Sequence, residues 1–277
     1  MRLAAKLSPS SASIAAHLVR NRLHRIETYY ELPTYNELDT LLNVYGVRQS
    51  EQAPYRQLRE AAAMGGWWSR GKHGDTNCWY YAAEHDAQHV TEYALGAVPD
   101  LLQSEDYTRT LGRQLETGPT RMIADERVNA VRRRQRRMTQ PTDLEFHAIV
   151  HEPILHQGIT PPQWTKLIRF ALQSHVTLQV LPRDNGLHRG LTGPVTHLGF
   201  SDPGVPDEAY TRDVFGDYTE TAAEHVVHTR QLVRHLADIA LSPEESLTLI
   251  RNASTQASGE LTRHHSDHPA DSSQPTN

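Results

Sequence analysis

The chain has 277 residues with 28 Lys and Arg against 33 Asp and Glu, a net charge of −5 and a mean hydropathy of −0.61, so one or two domains with real cores are expected and a general polyanion binder, usually strongly basic, is not. A single cysteine, Cys78, forbids an intrachain disulfide, as in a reducing compartment. The longest apolar stretches fall well short of the roughly 20 residues a spanning helix needs, and Ser8-Pro9-Ser10-Ser11 with His17 interrupts any signal-peptide core, so the expected location is the cytoplasm, with no membrane partner.

Charge is unevenly spread. Met1 to Ile26 holds five basic residues (Arg2, Lys6, Arg20, Arg22, Arg25) and no acid, which leaves the remaining chain at −10. In chain order, residues 1–47 predict short helices: Leu7, Ala12, Ala15 or Ala16, Leu18, Leu23 and Ile26 recur at three-to-four-residue spacing, and Leu38, Leu41, Leu42 and Tyr45 repeat the pattern after Pro33-Thr34. Gly46 ends the run as a C′ residue should. Residues 48–66 predict a helical linker, broken at Gly65-Gly66. Further helices are expected at about 79–95, 104–116, 121–139, 161–174, 218–240 and 243–252. Strands are expected at Phe146–His151, Val176–Leu181, Val195–Phe200 and Ala209–Phe215, rich in β-branched or alternating apolar residues. Helices first, strands in the middle and helices last predict an α+β protein: an all-α helix-turn-helix domain at 1–47 with a truncated first helix, then an α+β domain over 67–252 with a small antiparallel sheet. Residues 253–277, almost without large apolar side chains, predict a disordered tail.

The segment Ser8–Glu27 has the requirements of a helix-turn-helix: two helices crossing closely, a turn tolerating φ > 0, and inward apolar residues three apart on the second helix. Ser13 is the small contact, Leu18 the apolar turn residue, and Leu23 with Ile26 the inward pair. Arg20, Asn21, Arg22, His24 and Arg25 are left outward. Arg reads guanine O6/N7, Asn reads adenine N6/N7, and further cations, with Lys6, hold phosphates. A solvated surface helix is the plain alternative.

Leu7-Ser8, Arg20 through Thr28, Pro33-Thr34 and Leu41 through Val47 together resemble the Cro/repressor-type, xenobiotic-response-element family of helix-turn-helix domains, whose recognition helix would fall on Arg20–Glu27. This copy departs from the family in a first helix reduced to Met1–Lys6, in His17 where glycine is usual, and in Val19 where serine would cap the recognition helix, a loss of about 1 kcal/mol. Gly66-Trp67-Trp68-Ser69, Glu84, Val98 through Arg109, Arg132–Gln135, Glu152, Val180-Leu181-Pro182, Gly190 through Pro194 and Leu241 through Leu247 resemble the large domain of unknown function that follows this helix-turn-helix in actinomycete regulators. The resemblance implies a transcriptional regulator, in some members an antitoxin-like partner of a small neighbour-encoded protein.

Elsewhere, Val98–Asp106 reads as a packed corner: Pro99 stops a helix, Leu101-Leu102 bury, and Ser104 with Glu105 and Asp106 starts the next helix. Asp184, Asn185, Gly186, Gly190 and Thr192 lie in a loop between strands, where a ligand or partner site is often found. His85 and His89 at i,i+4 spacing would share a helix face, and His147, His151 and Glu152 cluster, but a third ligand cannot be placed and the order His-Glu-x-x-His is absent, so no metal is expected. In the run Arg132–Arg137, the stripe Val128, Val131, Gln135 and Met138 would be buried and the arginines would fan over the exposed side, solvated or against phosphates. No nucleophile elbow, phosphate loop or dinucleotide fingerprint occurs, so neither an enzyme nor a cofactor is expected. The reading is a sequence-specific regulator of double-stranded DNA, a homodimer. Its rival is an antitoxin-like module that sequesters a small protein, with vestigial DNA binding.

Overall fold

A computed structural model describes residues 1–27, 32–64, 75–115, 121–139, 144–202, 204–213 and 216–266. The chain divides into two compact units, Met1–Ala82 and Ala83–Asn277.

The first unit contains α1 (Pro9–Ala15), α2 (Arg20–Glu27), α3 (Tyr35–Val44) and α4 (Ala53–Met64). Ser8 caps α1 by accepting from the Ser11 amide at 3.0 Å, with Pro9 at the first helical position. The α1 end is a Schellman turn: His17 takes φ 53°, its N–H bonds the Ile14 carbonyl at 3.1 Å, and the Leu18 N–H bonds that of Ser13 at 2.9 Å. Gly46 (φ 79°) closes α3 in the same way, its N–H on Asn43 and that of Val47 on Leu42. Glycine adopts this conformation without a Cβ penalty, whereas histidine does so at a cost. Thr34 and Glu37 form a reciprocal capping box at the start of α3.

Ala12, Ala16, Leu23 and Leu41 make the core of this unit, with Leu7, Leu18, Ile26, Val44 and Tyr45 packed around it. Leu23 and Ile26 thus face inward as their spacing predicts, and Ser13 is buried where α1 needs a small residue. Helix α4 docks on α3 through Arg56 on Asp39 at 2.8 Å and the Arg59 guanidinium 4.2 Å from the Tyr35 ring centre.

After α5 (Asp75–Asp86) come β1 (His89–Ala94), α6 (Glu105–Leu115), α7 (Arg121–Arg134), β2 (Glu145–His151), α8 (Pro161–Ala171), β3 (Val176–Leu181), β4 (Val195–Gly199), β5 (Glu208–Asp213), β6 (Gly216–Glu220), α9 (Ala223–Ile239) and α10 (Pro243–Ser266). The fold class is α+β, but the sheet is larger than expected and mixed. Its order is β3-β2-β1-β4-β5-β6. β1, β2 and β3 are parallel, and β4, β5 and β6 extend the sheet antiparallel from β1. The parallel half follows from the connections, since α6 and α7 carry the chain from β1 to β2 and α8 from β2 to β3, the long crossovers that parallel pairing requires.

The strand at the centre of this arrangement lies in the segment expected as helix 79–95. α5 stops at Asp86, and Val90, Thr91 and Tyr93 favour the pleated surface over the helix. β6 likewise occupies the start of the expected helix 218–240. The tail expectation also changes: α10 passes Asn252 and runs to Ser266, because no proline interrupts a helix anchored upstream by buried Ser246 and Ile250. Residues 267–277 lie outside the described residues.

α9 covers one sheet face, where Val233 and Leu236 pack on Tyr93, Ile149 and Leu181. The corner before α6 is built as its sequence predicts: Leu101 and Leu102 are buried, and Ser104 accepts the Tyr107 amide. Gln163 of α8 closes it by accepting the Ser104 amide at 2.6 Å and donating to Leu102 O at 2.8 Å.

Candidate functional site

The turn Ala16–Val19 turns the chain from α1 into α2 and leaves Arg20, Asn21, His24 and Arg25 exposed on α2, with Lys6 exposed ahead of α1. Val19 stands at the α2 N-cap position: its carbonyl accepts from the amides of Arg22 and Leu23, while its side chain has no acceptor to offer and is 74% exposed.

Arg22 takes a different place from its neighbours. Its Nε and Nη2 donate to the two oxygens of Glu37 at 2.9 and 2.7 Å, and Nη2 also reaches Leu32 O at 3.2 Å. This pair holds the Glu37 carboxyl down at about 2. The guanidinium expected to read a base edge is therefore directed at the first turn of α3, where it positions α2. Arg2 is similarly committed, its Nε 2.8 Å from both Glu27 oxygens, and Tyr45 donates to the same carboxylate at 2.7 Å. Two of the five cations of the head thus hold the first unit together, Arg22 joining α2 to α3 and Arg2 the N-terminal turn to α2.

In the second unit, the loop singled out for ligands is largely occupied with its own architecture. Asn185 donates to Ile239 O at the end of α9, and Thr192 to Arg189 O at 2.8 Å. Gly186 sits at φ 75°. Gly190 is buried, and a Cβ there would lie 2.7 Å from Tyr93 Cε1, so the position requires glycine for packing. Asp184 points to solvent, 3.5 Å from Arg183. Beneath this loop is a feature with no sequence signal: the Tyr93 hydroxyl and His188 Nδ1 are both buried without a hydrogen bond. Their rings meet edge-on, and His151 packs on His188 with ring centres 5.8 Å apart. Burial pushes the Tyr93 hydroxyl up to about 12 and both imidazoles down.

The arginine run also differs from expectation. Gln135 and Met138 are buried, but so is Arg134, whose side chain is only 2% exposed. Its guanidinium forks onto Glu84 at 2.7 and 2.6 Å and onto Asp100 at 2.8 Å. Arg137 donates to the Glu84 and Ala87 carbonyls at 2.6 and 2.9 Å, and Arg127 adds a contact to Asp100. Burial opposes charge on Asp100, yet the arginines hold its carboxyl well below the usual range. Nearby Glu92 is pushed up to about 8 by burial and by Asp100. The run is thus split: Arg132, Arg133 and Arg136 are exposed, while Arg134 and Arg137 bind the α7 end to α5. Carboxylates distant in sequence decide which arginines turn inward.

His85 and His89 share no helix, since α5 ends between them. His147 lies on β2 against Gln179, and His151 faces His188. Among the described residues no three His, Cys, Asp or Glu side chains come together as a metal site needs, and no helix is long and apolar enough to cross a membrane.

Residues 79–252 match a family described as a domain of unknown function, DUF5753. The chain belongs to this family. The match spans β1 through the buried part of α10, and so the Arg134–Glu84–Asp100 network, the loop after β3 and the sheet all lie within the DUF5753 region. No curated protein and no solved structure matches the chain.

Proposed function

We propose that the chain is a sequence-specific DNA-binding transcription regulator of the Cro/repressor type, working as a homodimer, with the DUF5753 region binding an effector or partner. The observation that carries this reading is the pair α1 and α2, joined by the left-handed turn at His17 over a shared core of Ala12, Ala16 and Leu23, with Arg20, Asn21, His24 and Arg25 exposed together on α2. Arg20 and Asn21, on the first turn of α2, have the chemistry to read guanine and adenine edges in the major groove. Lys6, His24 and Arg25 contact or attract phosphates. Arg22 serves the same end indirectly by fixing the angle of α2.

One such unit contacts few base pairs, and two units on half-sites about 34–36 Å apart give the affinity a regulator needs. Titration of the protein into a labelled duplex of its own upstream region tests the binding, with a shift expected that a scrambled duplex does not give. Light scattering tests the dimer, and a monomer at micromolar concentration contradicts it.

A second reading, an antitoxin-like module that sequesters a small neighbour-encoded protein, is favoured by Ile14 and Val19, apolar residues 75% and 74% exposed on α1 and the turn. A copurifying small protein together with no duplex shift decides for it.

A further inference from the structure

A cleft of about 420 Å³ opens in the second unit between the sheet and α9, a size typical of small-molecule sites, about 300–1,000 Å³. Its floor is a row of three side chains fixed by strand register. Thr91 of β1 pairs with His147 of β2 on one side and His197 of β4 on the other, so all three stand on the same sheet face.

The proton arrangement of this floor follows from its partners. The Gln179 amide nitrogen donates to Leu241 O at 2.8 Å and Ala237 O at 3.3 Å. Its oxygen therefore accepts from His147 Nε2–H at 2.7 Å, which leaves Nδ1 of the neutral imidazole as an acceptor. The His197 side chain is 9% exposed, and its Nε2 lies 3.2 Å from Asp207 Oδ2. Burial pushes both imidazoles down, opposed at His197 by Asp207, a carboxylate that also lines the cleft. At the rim, Arg230 and Arg234 of α9, one helical turn apart, are exposed. Two arginines here contrast with the −10 carried by the chain beyond its first 26 residues. Arg230 is 3.9 Å from Asp207, a weak contact that leaves donors for a ligand.

We propose that this cleft binds a small hydroxylated organic anion, with its carboxylate or phosphate on Arg230 and Arg234 and its hydroxyl groups on the row His147, Thr91 and His197. Arginine forks match both anionic groups, and neutral imidazoles and a threonine hydroxyl supply the mixture of donors and acceptors that sugar-like hydroxyls need. Binding here does not depend on the DNA-binding reading, whereas a role of the bound anion as effector rests on it.

Imidazole 15N resonances of the full chain, followed on addition of gluconate, ribose 5-phosphate or neutral ribose, test the site. The His197 and His147 ring nitrogens are expected to shift with gluconate or with ribose 5-phosphate but not with ribose, and the anion that acts identifies a carboxylate or a phosphate ligand. Arg230→Ala and Arg234→Ala, exposed positions whose loss leaves the core intact, are each expected to weaken binding about tenfold, the equivalent of one charge-assisted hydrogen bond. The proposal is overturned if neither anion moves these resonances at millimolar concentration, if ribose acts equally, or if both variants bind as tightly as the parent. Duplex binding by the same preparation without added anion separates failure of this site from failure of the DNA-binding reading.

Discussion

Arg22 and Glu37 join α2 to α3 through two hydrogen bonds of 2.9 and 2.7 Å, and the same carboxylate also accepts the Thr34 amide at 2.7 Å. One glutamate thus caps α3 and holds the orientation of α2. Arg22→Ala and Glu37→Gln are each expected to lower the stability of the first unit by about 1–2 kcal/mol, after allowance for partial exposure to solvent. The Glu37 carboxyl is held at about 2 in the folded chain against an ordinary 4.5. A depressed carboxyl contributes stability that is complete above its unfolded value and is lost as pH falls through the folded one. Denaturant titrations should therefore show this contribution disappearing between about 4.5 and about 2, and Glu37→Gln should flatten the pH dependence in that window.

Arg134 and Arg132 are two residues apart and should behave as opposites. Arg134→Ala leaves buried Glu84 without its cation and Asp100 with the Arg127 contact but not that of Arg134, at a cost of about 3–5 kcal/mol. Arg132 is 64% exposed and only 3.6 Å from Glu105, so Arg132→Ala should cost less than about 1 kcal/mol. Thermal unfolding of the two variants checks this, and equal effects would show that the run acts as one surface.

His17 and Val19 are the two weak points of the turn before α2. His17→Gly removes the left-handed penalty and Val19→Ser supplies a cap, each expected to add about 0.5–1 kcal/mol. A rise in the unfolding midpoint for both variants is the expected result. Unchanged midpoints would mean that neither position limits the stability of this unit.

Gly190 is a packing residue beneath the loop after β3. Gly190→Ala drives a methyl group toward the Tyr93 ring, where the space is 2.7 Å, and should destabilise the second unit by about 1–3 kcal/mol. The paired variant Tyr93→Leu, Gly190→Ala should recover part of that loss.

Much of this architecture is legible in the sequence where the signal is local. Gly46 and the spacing of Leu23 and Ile26 give the turn and inner face of the first unit, and β-branched runs give β2 to β4. β1 was hidden because a helix leads directly into it without Gly or Pro, and with it the parallel half of the sheet. Helix periodicity gives the outward set on α2 but carries no sign of Glu37 drawing Arg22 aside. The cleft under α9 has no local signal: Thr91, His147 and His197 are brought side by side only by pairing of strands distant in sequence.

Binding-site selection by the full chain from a randomised duplex pool, followed by affinity measurements on the recovered sequence, tests the central reading most directly. One motif should be enriched, as two half-sites, and Arg20→Ala and Asn21→Ala should each lose about 1–3 kcal/mol on it. Their affinity for scrambled duplex should change much less. No enriched sequence, or a recovered sequence bound equally well by the parent and by both variants, contradicts the reading.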